Sequence, residues 1–369
     1  MTIMDYLPFS VGFMKGTGLL PSSTLLRKLI SIIVFLTTII LNVLIIVNFS
    51  HTKGEILATA EAFESLSTYS QLTVRKLIFL FHGSLIEEII ADCQHEWKYD
   101  LFGPEIEAEL RKKVQFGINI TKIFSASGFT TICLMGATAL VDSSKPVPLM
   151  VWVPDIKWAT ETIFVGEMVI LLETLYYVMG SDSFYLLMGA NLQVQLRLIA
   201  ETVKSIRFGT DDDQECLNKL AECVKHHRWI LRLHRKLNRV FSEYFIVQYT
   251  ITVSTVAIQI YLTLYSSPSF EAIIKSVVYF ISVMFQVALY FIPASNIEIE
   301  AENFSLDLYF ANWEANTNMK VNKHILFMLM ESQKPLDTLG AGMLHISRPM
   351  YLGIVRLGFT IATIIGGLK

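Results

Sequence analysis

The sequence predicts an all-α membrane protein that crosses the bilayer with seven helices. Of its 369 residues, 53% are hydrophobic and only 17% are charged. A soluble domain does not combine so large an apolar fraction with so few charges. Several uncharged runs are also long enough to cross a bilayer core of about 30 Å as helices. The distribution of Lys and Arg between these runs then gives the helices a direction.

Six of the seven predicted spans are strongly apolar, and they cover residues 29–50, 114–141, 159–190, 240–270, 276–297 and 345–367. The second span in chain order, 55–83, is weaker because it begins with acidic residues and is interrupted by Arg75 and Lys76. A charged side chain inside a membrane is expensive unless it faces protein or water. We therefore interpret 55–83 as an amphipathic span whose polar side faces the interior of the bundle.

The positive charges orient these helices. With a cytoplasmic N-terminus, 21 Lys and Arg residues lie in cytoplasmic segments and five lie on the other side. The positive-inside rule thus predicts an intracellular N-terminus and an extracellular C-terminus. G-protein-coupled receptors have seven helices in the opposite orientation, and this chain lacks their NPxxY and DRY motifs, which excludes that class. The net charge of −3 argues against nucleic acid as a partner.

Enzyme motifs are missing from the sequence, which contains no HExxH, no GxSxG and no Walker loop. Glu167 and Glu173 in the fourth span are predicted to hydrogen-bond neighbouring helices or to line a small cavity. His226, His227 and His234 lie in a run of Arg and Lys and are predicted to form a solvated basic face, not a metal site. We therefore expect neither catalysis nor a cofactor or bound metal. A secondary transporter remains an alternative.

The last span carries a single charge, Arg356, between Met350 and Leu368. An Arg at mid-membrane costs roughly 2.5–3.5 kcal/mol and should face protein or water. At helical spacing, the polar stripe beside an apolar one consists of Arg356, Thr360, Thr363 and Gly367. We hypothesise that this helix lines a water-filled pore. The alternative is a plain final span packed through its glycines, which are Gly353, Gly358, Gly366 and Gly367.

The order and spacing of residues in 305–369 resemble a known family. They are Leu308, Tyr309, Trp313, Leu326, Phe327, Met328, Leu329, Ser332, Gln333, Pro335, Leu336, Ala341, Gly342, Ile346, Ser347 and Tyr351. In this arrangement the chain resembles the insect odorant receptors, which are seven-helix, odorant-gated cation channels. Phe359-Thr360 departs from the Tyr-Ser pair that the family often has there, which removes a phenol hydroxyl.

The resemblance implies a division of the chain into four parts. Residues 1–28 would be a cytoplasmic tail, and residues 29–297 would form a six-helix bundle with the ligand pocket and cytoplasmic extensions. Residues 298–344 would form a cytoplasmic anchor region, and residues 345–369 would form the pore-lining seventh helix. The last helix would be split into a cytosolic part at about 307–333 and a pore-lining part at about 345–367. A gustatory-type channel of related architecture is a further alternative.

The resemblance also implies partners and a location. Four subunits would surround one pore in the plasma membrane of a sensory neuron dendrite. Because this chain is under 400 residues and its second cytoplasmic loop is short, it resembles a tuning subunit that assembles with the family's co-receptor. The other expected partners are the lipid bilayer, a small volatile apolar ligand, and the monovalent and divalent cations that permeate.

The family's odorant pocket lies in the outer half of the bundle, between the second, third, fourth and sixth helices. The corresponding residues here are Tyr69, Leu72, Thr73, Lys76, Ser125, Gly128, Ile132, Met135, Phe164, Met168, Leu171, Leu175, Tyr279, Phe280 and Val283. Such a pocket would be apolar with few polar groups, and Gly128 would leave room for a ligand. The resemblance implies a pore and gate formed by Leu357, Thr360, Ile364, Gly367 and Leu368.

Overall fold

A computed structural model describes residues 2–18, 20–51, 56–141, 146–265 and 270–367. Within these ranges the chain is almost entirely helical. The helices are α1 (Leu7–Gly16), α2 (Leu25–His51), α3 (Ile56–Asp92), α4 (Pro104–Val141), α5 (Ala159–Tyr177), α6 (Ser183–Lys204), α7 (Asp213–Tyr265), α8 (Phe270–Tyr309), α9 (Met319–Ser332) and α10 (Arg348–Gly367). An antiparallel hairpin of β1 (Leu339–Gly340) and β2 (Leu344–His345) precedes α10.

The predicted all-α membrane architecture is confirmed. Among the described residues, six helical stretches are long and apolar enough to cross a membrane: α2, α4, the continuous α5–α6 rod, α7, α8 and α10. The seventh helix of membrane length is α3, which has 37 residues and packs against α2 and α7. Its Arg75 and Lys76 are buried, as expected for a span with its polar side inside the bundle. The orientation of the termini stays a prediction.

The surface of α2 shows which environment this fold suits. Its inward positions include Ser31, Thr38 and Asn48, whereas Ile33 and Ile40 on its outer side are 64% and 59% exposed. This is the reverse of the pattern of a soluble helix. In lipid there is no hydrophobic penalty for outward apolar side chains, and polar groups must be satisfied inside the bundle.

The α5–α6 rod contains one irregularity, a π-helical turn at Val178–Asp182. Single π-turns inside α-helices are often found at functional sites. Four of its five residues are buried, and α1, α4, α5 and α6 pack against it. Gly180 is required there, because a Cβ would lie 2.9 Å from Cγ of Met14.

The N-terminal segment differs from the predicted tail. Residues 7–16 form α1, which packs against α5, α6 and the π-turn, and Ile3, Leu7 and Met14 are buried. Because α1 has only ten residues, it is too short to show as a membrane span. Its contacts come from distant residues, such as Tyr176 against Phe13, so no local pattern indicates them.

The predicted cytosolic helix over 307–333 is wrong in its first half. Here α8 runs on to Tyr309, and α9 begins only at Met319. Asn312 adopts the left-handed conformation with φ 54°, and the Asn318 side chain caps α9 by accepting a hydrogen bond from the Lys320 amide. Asn318 also donates a hydrogen bond of 2.8 Å to Asp213 at the start of α7. These asparagines break the helix that the apolar pattern predicts.

Two other regions on the predicted cytoplasmic side also differ from the sequence-based prediction. The last helix begins at Arg348 rather than at 345, because the β-hairpin occupies the preceding residues. The prediction of a solvated basic face at His226, His227 and His234 is wrong, since each is at most 5% exposed. His226 stacks on Trp97 with ring centroids 4.2 Å apart and hydrogen-bonds Gln195.

Glu96, in the connection between α3 and α4, attaches the N-terminal segment to the bundle. Its carboxylate accepts hydrogen bonds from the Ile3 amide and, at 2.9 Å, from Asn191 Nδ2. Burial is the largest influence on this carboxyl and raises its pKa from 4.5 to about 7. The protonated form is therefore favoured in the folded protein relative to the unfolded chain.

We predict that this residue makes the stability of the detergent-purified protein depend on pH. A folded-state pKa above the unfolded value means that stability is greatest below about pH 4.5 and falls as the pH rises through about 7. The full difference between the two pKa values corresponds to about 3 kcal/mol in the free energy of unfolding. Thermal unfolding from pH 5 to 8 should show this loss, Glu96→Gln should remove it, and Glu105→Gln, at an exposed position, should retain it. An unchanged pH slope in Glu96→Gln contradicts the assignment.

Candidate functional site

The fifteen predicted pocket residues all lie on inward-facing sides of their helices. Seven are buried: Tyr69, Leu72, Lys76, Ser125, Ile132, Leu171 and Val283. The other eight are half-buried: Thr73, Gly128, Met135, Phe164, Met168, Leu175, Tyr279 and Phe280. Their apolar helix neighbours point the other way, as Phe129, Val165 and Ile281 do at 51–59% exposed. The same faces of α3, α4, α5 and α8 are thus turned toward the interior of the bundle.

Polar contacts join α3 to its neighbours in this region. Lys76 Nζ forms an ion pair of 2.7 Å with Glu173 of α5 and donates a hydrogen bond of 3.0 Å to Thr38 Oγ1 of α2. Thr73 Oγ1 accepts a hydrogen bond from Asn42 of α2 at 3.2 Å. Lys76 is therefore neutralised within the bundle, and Glu167 and Glu173 each bond a neighbouring segment, as the sequence predicts.

The extracellular end of this region, in the predicted orientation, is covered by the connection between α4 and α5. The Leu149 amide donates a hydrogen bond of 3.0 Å to Glu167 Oε2, and the Met150 amide donates one of 2.9 Å to Ser65 Oγ. Glu167 also adjoins the Tyr69 hydroxyl of α3. One carboxylate thus attaches the covering loop to α5 and lies beside Tyr69 of α3. The sequence singled out Glu167 but did not identify this role, which depends on a loop 18 residues away.

The contact between α4 and α5 is close at Gly128. A Cβ at this position would lie 3.1 Å from Cδ2 of Leu175, so the space left by the glycine is occupied by a Leu175 methyl group. One turn away, Ser125 is 5% exposed, and its hydroxyl has no hydrogen-bond partner among the described residues. Ser125 therefore offers an unused polar group in an otherwise apolar contact.

A second charged cluster lies one residue along α3, at Arg75. Its guanidinium forms an ion pair of 2.9 Å with Asp182. It also donates hydrogen bonds of 3.1 Å to Asp182 Oδ2 and of 2.6 Å to the Tyr244 hydroxyl. Asp182 also accepts hydrogen bonds from Ser181 and from the Tyr290 hydroxyl. The cluster joins α3, the π-turn, α7 and α8, and sequence reasoning did not find it because it draws on four separate segments.

The packing of α10 separates its two faces. Ile354, Gly358 and Ala362 form its buried stripe against α7, whereas Arg356, Leu357, Thr360, Ile364 and Gly367 are exposed. A Cβ at Gly358 would lie 2.6 Å from Cγ1 of Val256, so only glycine fits this contact. Gly353 and Gly367 have nothing within 4 Å of such a Cβ. The predicted pore residues thus share the open face of α10, with Leu368 outside the described residues.

A family model described as 7tm Odorant receptor matches residues 55–359 of the chain. This match covers most of the chain, including the predicted pocket and most of α10. The chain belongs to the odorant receptor family. Membership places it among multi-pass plasma-membrane receptors and not among enzymes, as the sequence predicted.

Curated relatives of this family member come from Drosophila melanogaster. Odorant receptor 82a is 20% identical over 229 residues, which cover 62% of this chain and 59% of that protein. Odorant receptor 22a is 21% identical over 207 residues, which cover 54% of this chain and 50% of that protein. The chain thus spans between half and three fifths of the length of these relatives.

Solved structures show the same fold as this family member. The insect olfactory receptor OR5 from Machilis hrabei superposes with a TM-score of 0.77 at 16% identity, covering 95% of this chain and 93% of that one. The structure of the same receptor in complex with eugenol gives a TM-score of 0.81 at 16% identity and covers 100% and 99% of the two chains. At this identity the similarity establishes the fold.

We predict that the Arg75–Asp182 pair behaves as one unit. Asp182→Asn should destabilise the protein by roughly 3–5 kcal/mol, because it leaves an uncompensated buried charge. The double variant Arg75→Met with Asp182→Asn should lose less than the two single losses combined. Thermal unfolding in detergent measures the loss of stability in each variant. As a control, Lys236→Met, which breaks a more accessible pair with Asp92, should change stability by at most about 1 kcal/mol. Additive losses would contradict the coupling.

Proposed function

We propose that this chain is the odorant-binding subunit of a ligand-gated, non-selective cation channel whose pore is lined by α10. The observation that carries this proposal is the position of Arg356. It lies midway along a membrane-length helix, on the face opposite the buried stripe, and its side chain makes no ion pair with the described residues. A charge placed there is unfavourable in lipid and is accommodated by water or by another subunit.

The ligand would bind between α3, α4, α5 and α8 in the region beneath the α4–α5 loop. Most of the walls are apolar side chains, and the polar Lys76 and Thr73 already bond Glu173 and Asn42. Ser125 supplies an unused hydroxyl. This combination suits a small, mostly apolar molecule with one polar group. The OR5 receptor was solved in complex with eugenol, which is also a small and mostly apolar molecule. Leu175 would have to move away from Gly128 for a ligand to enter the contact between α4 and α5.

Gating would follow from a difference between the ligand's affinities for the closed and the open arrangements of the channel. A ligand shifts a channel toward the open arrangement only if it binds that arrangement more tightly. Opening would move α10 outward and widen the constriction at Ile364 and Leu368. A narrow apolar ring excludes hydrated ions, and a wider, wetted ring conducts them.

The partner would be the family's co-receptor, in a tetramer around the pore. Four copies of this chain would place four Arg356 charges around a cation pathway, which opposes conduction. An assembly with few copies avoids this repulsion. Subunit contacts would use the apolar side chains that stay exposed near the end of α8 and on α9, among which Phe310 is 71%, Met330 67% and Phe327 45% exposed.

We predict that the open face of α10 is reached by water-soluble thiol reagents. Thr360→Cys and Ile364→Cys, co-expressed with a co-receptor, should react from the extracellular solution, and the modification should change the odorant-evoked current. Ala362→Cys is the matched control, because position 362 is fully buried against α7. Reaction at 362 equal to that at 360 and 364, or no reaction at any of the three with and without ligand, would reject a pore-lining α10.

We predict that the α4–α5 contact sets ligand sensitivity. Gly128→Leu should weaken the response to an activating odorant by at least about tenfold, because the larger side chain competes with Leu175 and the ligand for the same space. Ala126→Leu introduces the same side chain two residues away on the exposed side of α4 and should leave the response unchanged. Dose–response curves, normalised to surface expression, measure both. Equal responses of the two variants would place the ligand elsewhere.

A further inference from the structure

Three potential metal ligands converge just before α10. His345 Nε2 lies 3.4 Å from Glu298 Oε2 and 3.4 Å from Asp337 Oδ1, and the three ligand atoms lie within 4.8 Å of one another. Glu298 belongs to α8, Asp337 to the connection after α9, and His345 to β2. The sequence does not reveal the group, because its members are up to 47 positions apart and share no spacing motif.

The backbone around these ligands is fixed by other contacts. The Leu339 amide donates a hydrogen bond of 2.9 Å to Asn238 Oδ1, and Ser242 Oγ donates one of 2.9 Å to the Leu339 carbonyl. The Ile346 amide bonds the Thr338 carbonyl at 2.9 Å. The hairpin is thus attached to α7 at Leu339, which lies between Asp337 and His345 in the chain. The side chains are positioned by the fold before any ion binds.

The charges at this point favour a cation. Two carboxylates are held close together, and His345 is their only ion-pair partner among the described residues. The neighbouring cations have other partners, since Lys334 pairs with Glu331 and Arg348 donates a hydrogen bond to Asn296. The side chains of Glu298, Asp337 and His345 are 23%, 35% and 44% exposed, which leaves a path from solvent.

The distances within the group agree with zinc geometry. Tetrahedral Zn²⁺ with Zn–N of about 2.0–2.1 Å and Zn–O of about 2.0–2.2 Å places its ligand atoms about 3.3–3.5 Å apart. Both separations from His345 are 3.4 Å, and the three ligand atoms all lie within 4.8 Å of one another. Ca²⁺ and Mg²⁺ prefer oxygen ligands alone, whereas an imidazole with carboxylates suits zinc.

We propose that Glu298, Asp337 and His345 form a Zn²⁺ site that joins α8 and the hairpin at the base of α10, with water as the fourth ligand. His345 is three residues from the first residue of α10. A bound ion would therefore fix the end of that helix to α8. Because the ion binds the folded protein, it raises the stability of the fold. This site does not depend on whether α10 lines a pore.

The test is Zn²⁺ binding to the full-length chain purified in detergent, with any affinity tag removed. Competition with a fluorescent chelator gives stoichiometry and affinity, and X-ray absorption at the zinc edge reports the ligand atoms. We expect one Zn²⁺ with nitrogen and oxygen ligands and no sulfur, and a rise in melting temperature. Affinity should fall as the pH is lowered, because the imidazole must be neutral to bind.

Variants decide whether the bound ion is at this site. His345→Ala should weaken binding by at least about tenfold, and Glu298→Gln and Asp337→Asn should each weaken it as well. His324→Ala, at an exposed histidine of α9, should bind as the unmodified chain does. If His345→Ala does not fold, Asp337→Asn decides. No bound zinc, sulfur ligands, or unchanged affinity in these variants would overturn the proposal.

Discussion

The Arg75–Asp182 ion pair is the interaction on which the transmembrane bundle depends. A bilayer core supplies no water, so a buried guanidinium and a buried carboxylate must satisfy each other within the protein. Tyr244 and Tyr290 complete the cluster and attach it to α7 and α8. The π-turn that carries Asp182 is also the surface on which Met14 of α1 rests. The amphipathic α3, the N-terminal segment and the long helices α7 and α8 therefore meet at one point.

The same helix, α7, connects this cluster to α10. Tyr244 bonds Arg75, and Val256, twelve residues further along, lies against Gly358 of α10. In an α-helix this separation is about 18 Å. The three buried residues of α10 face the bundle, and its contacts there are mainly with α7. A movement of α3 relative to α7 would therefore reach α10 through one continuous helix.

Much of this fold could be predicted from the sequence, because lipid imposes strong local constraints on a span. The uncharged runs predicted six helices, and buried Arg75 and Lys76 agree with the amphipathic interpretation of α3. The errors occur where long-range contacts decide. The α1 helix is held by distant residues, and His226 is buried between Trp97 and Trp229 although its sequence neighbours are charged. The family resemblance selected positions that face inward, but it did not indicate their partners, such as Glu173 for Lys76. That these residues bind a ligand stays a prediction.

The proposed contribution of the chain to an odorant-gated cation pathway is tested most directly by electrical recording. Inward current is measured during a panel of volatiles in cells that express the chain with and without a co-receptor. The account predicts a cation current with unitary steps when both chains are present and little or none from this chain alone. A robust odorant-evoked cation current from the chain alone would contradict the role assigned to Arg356. Saturable flux without unitary steps would indicate a transporter instead of a channel.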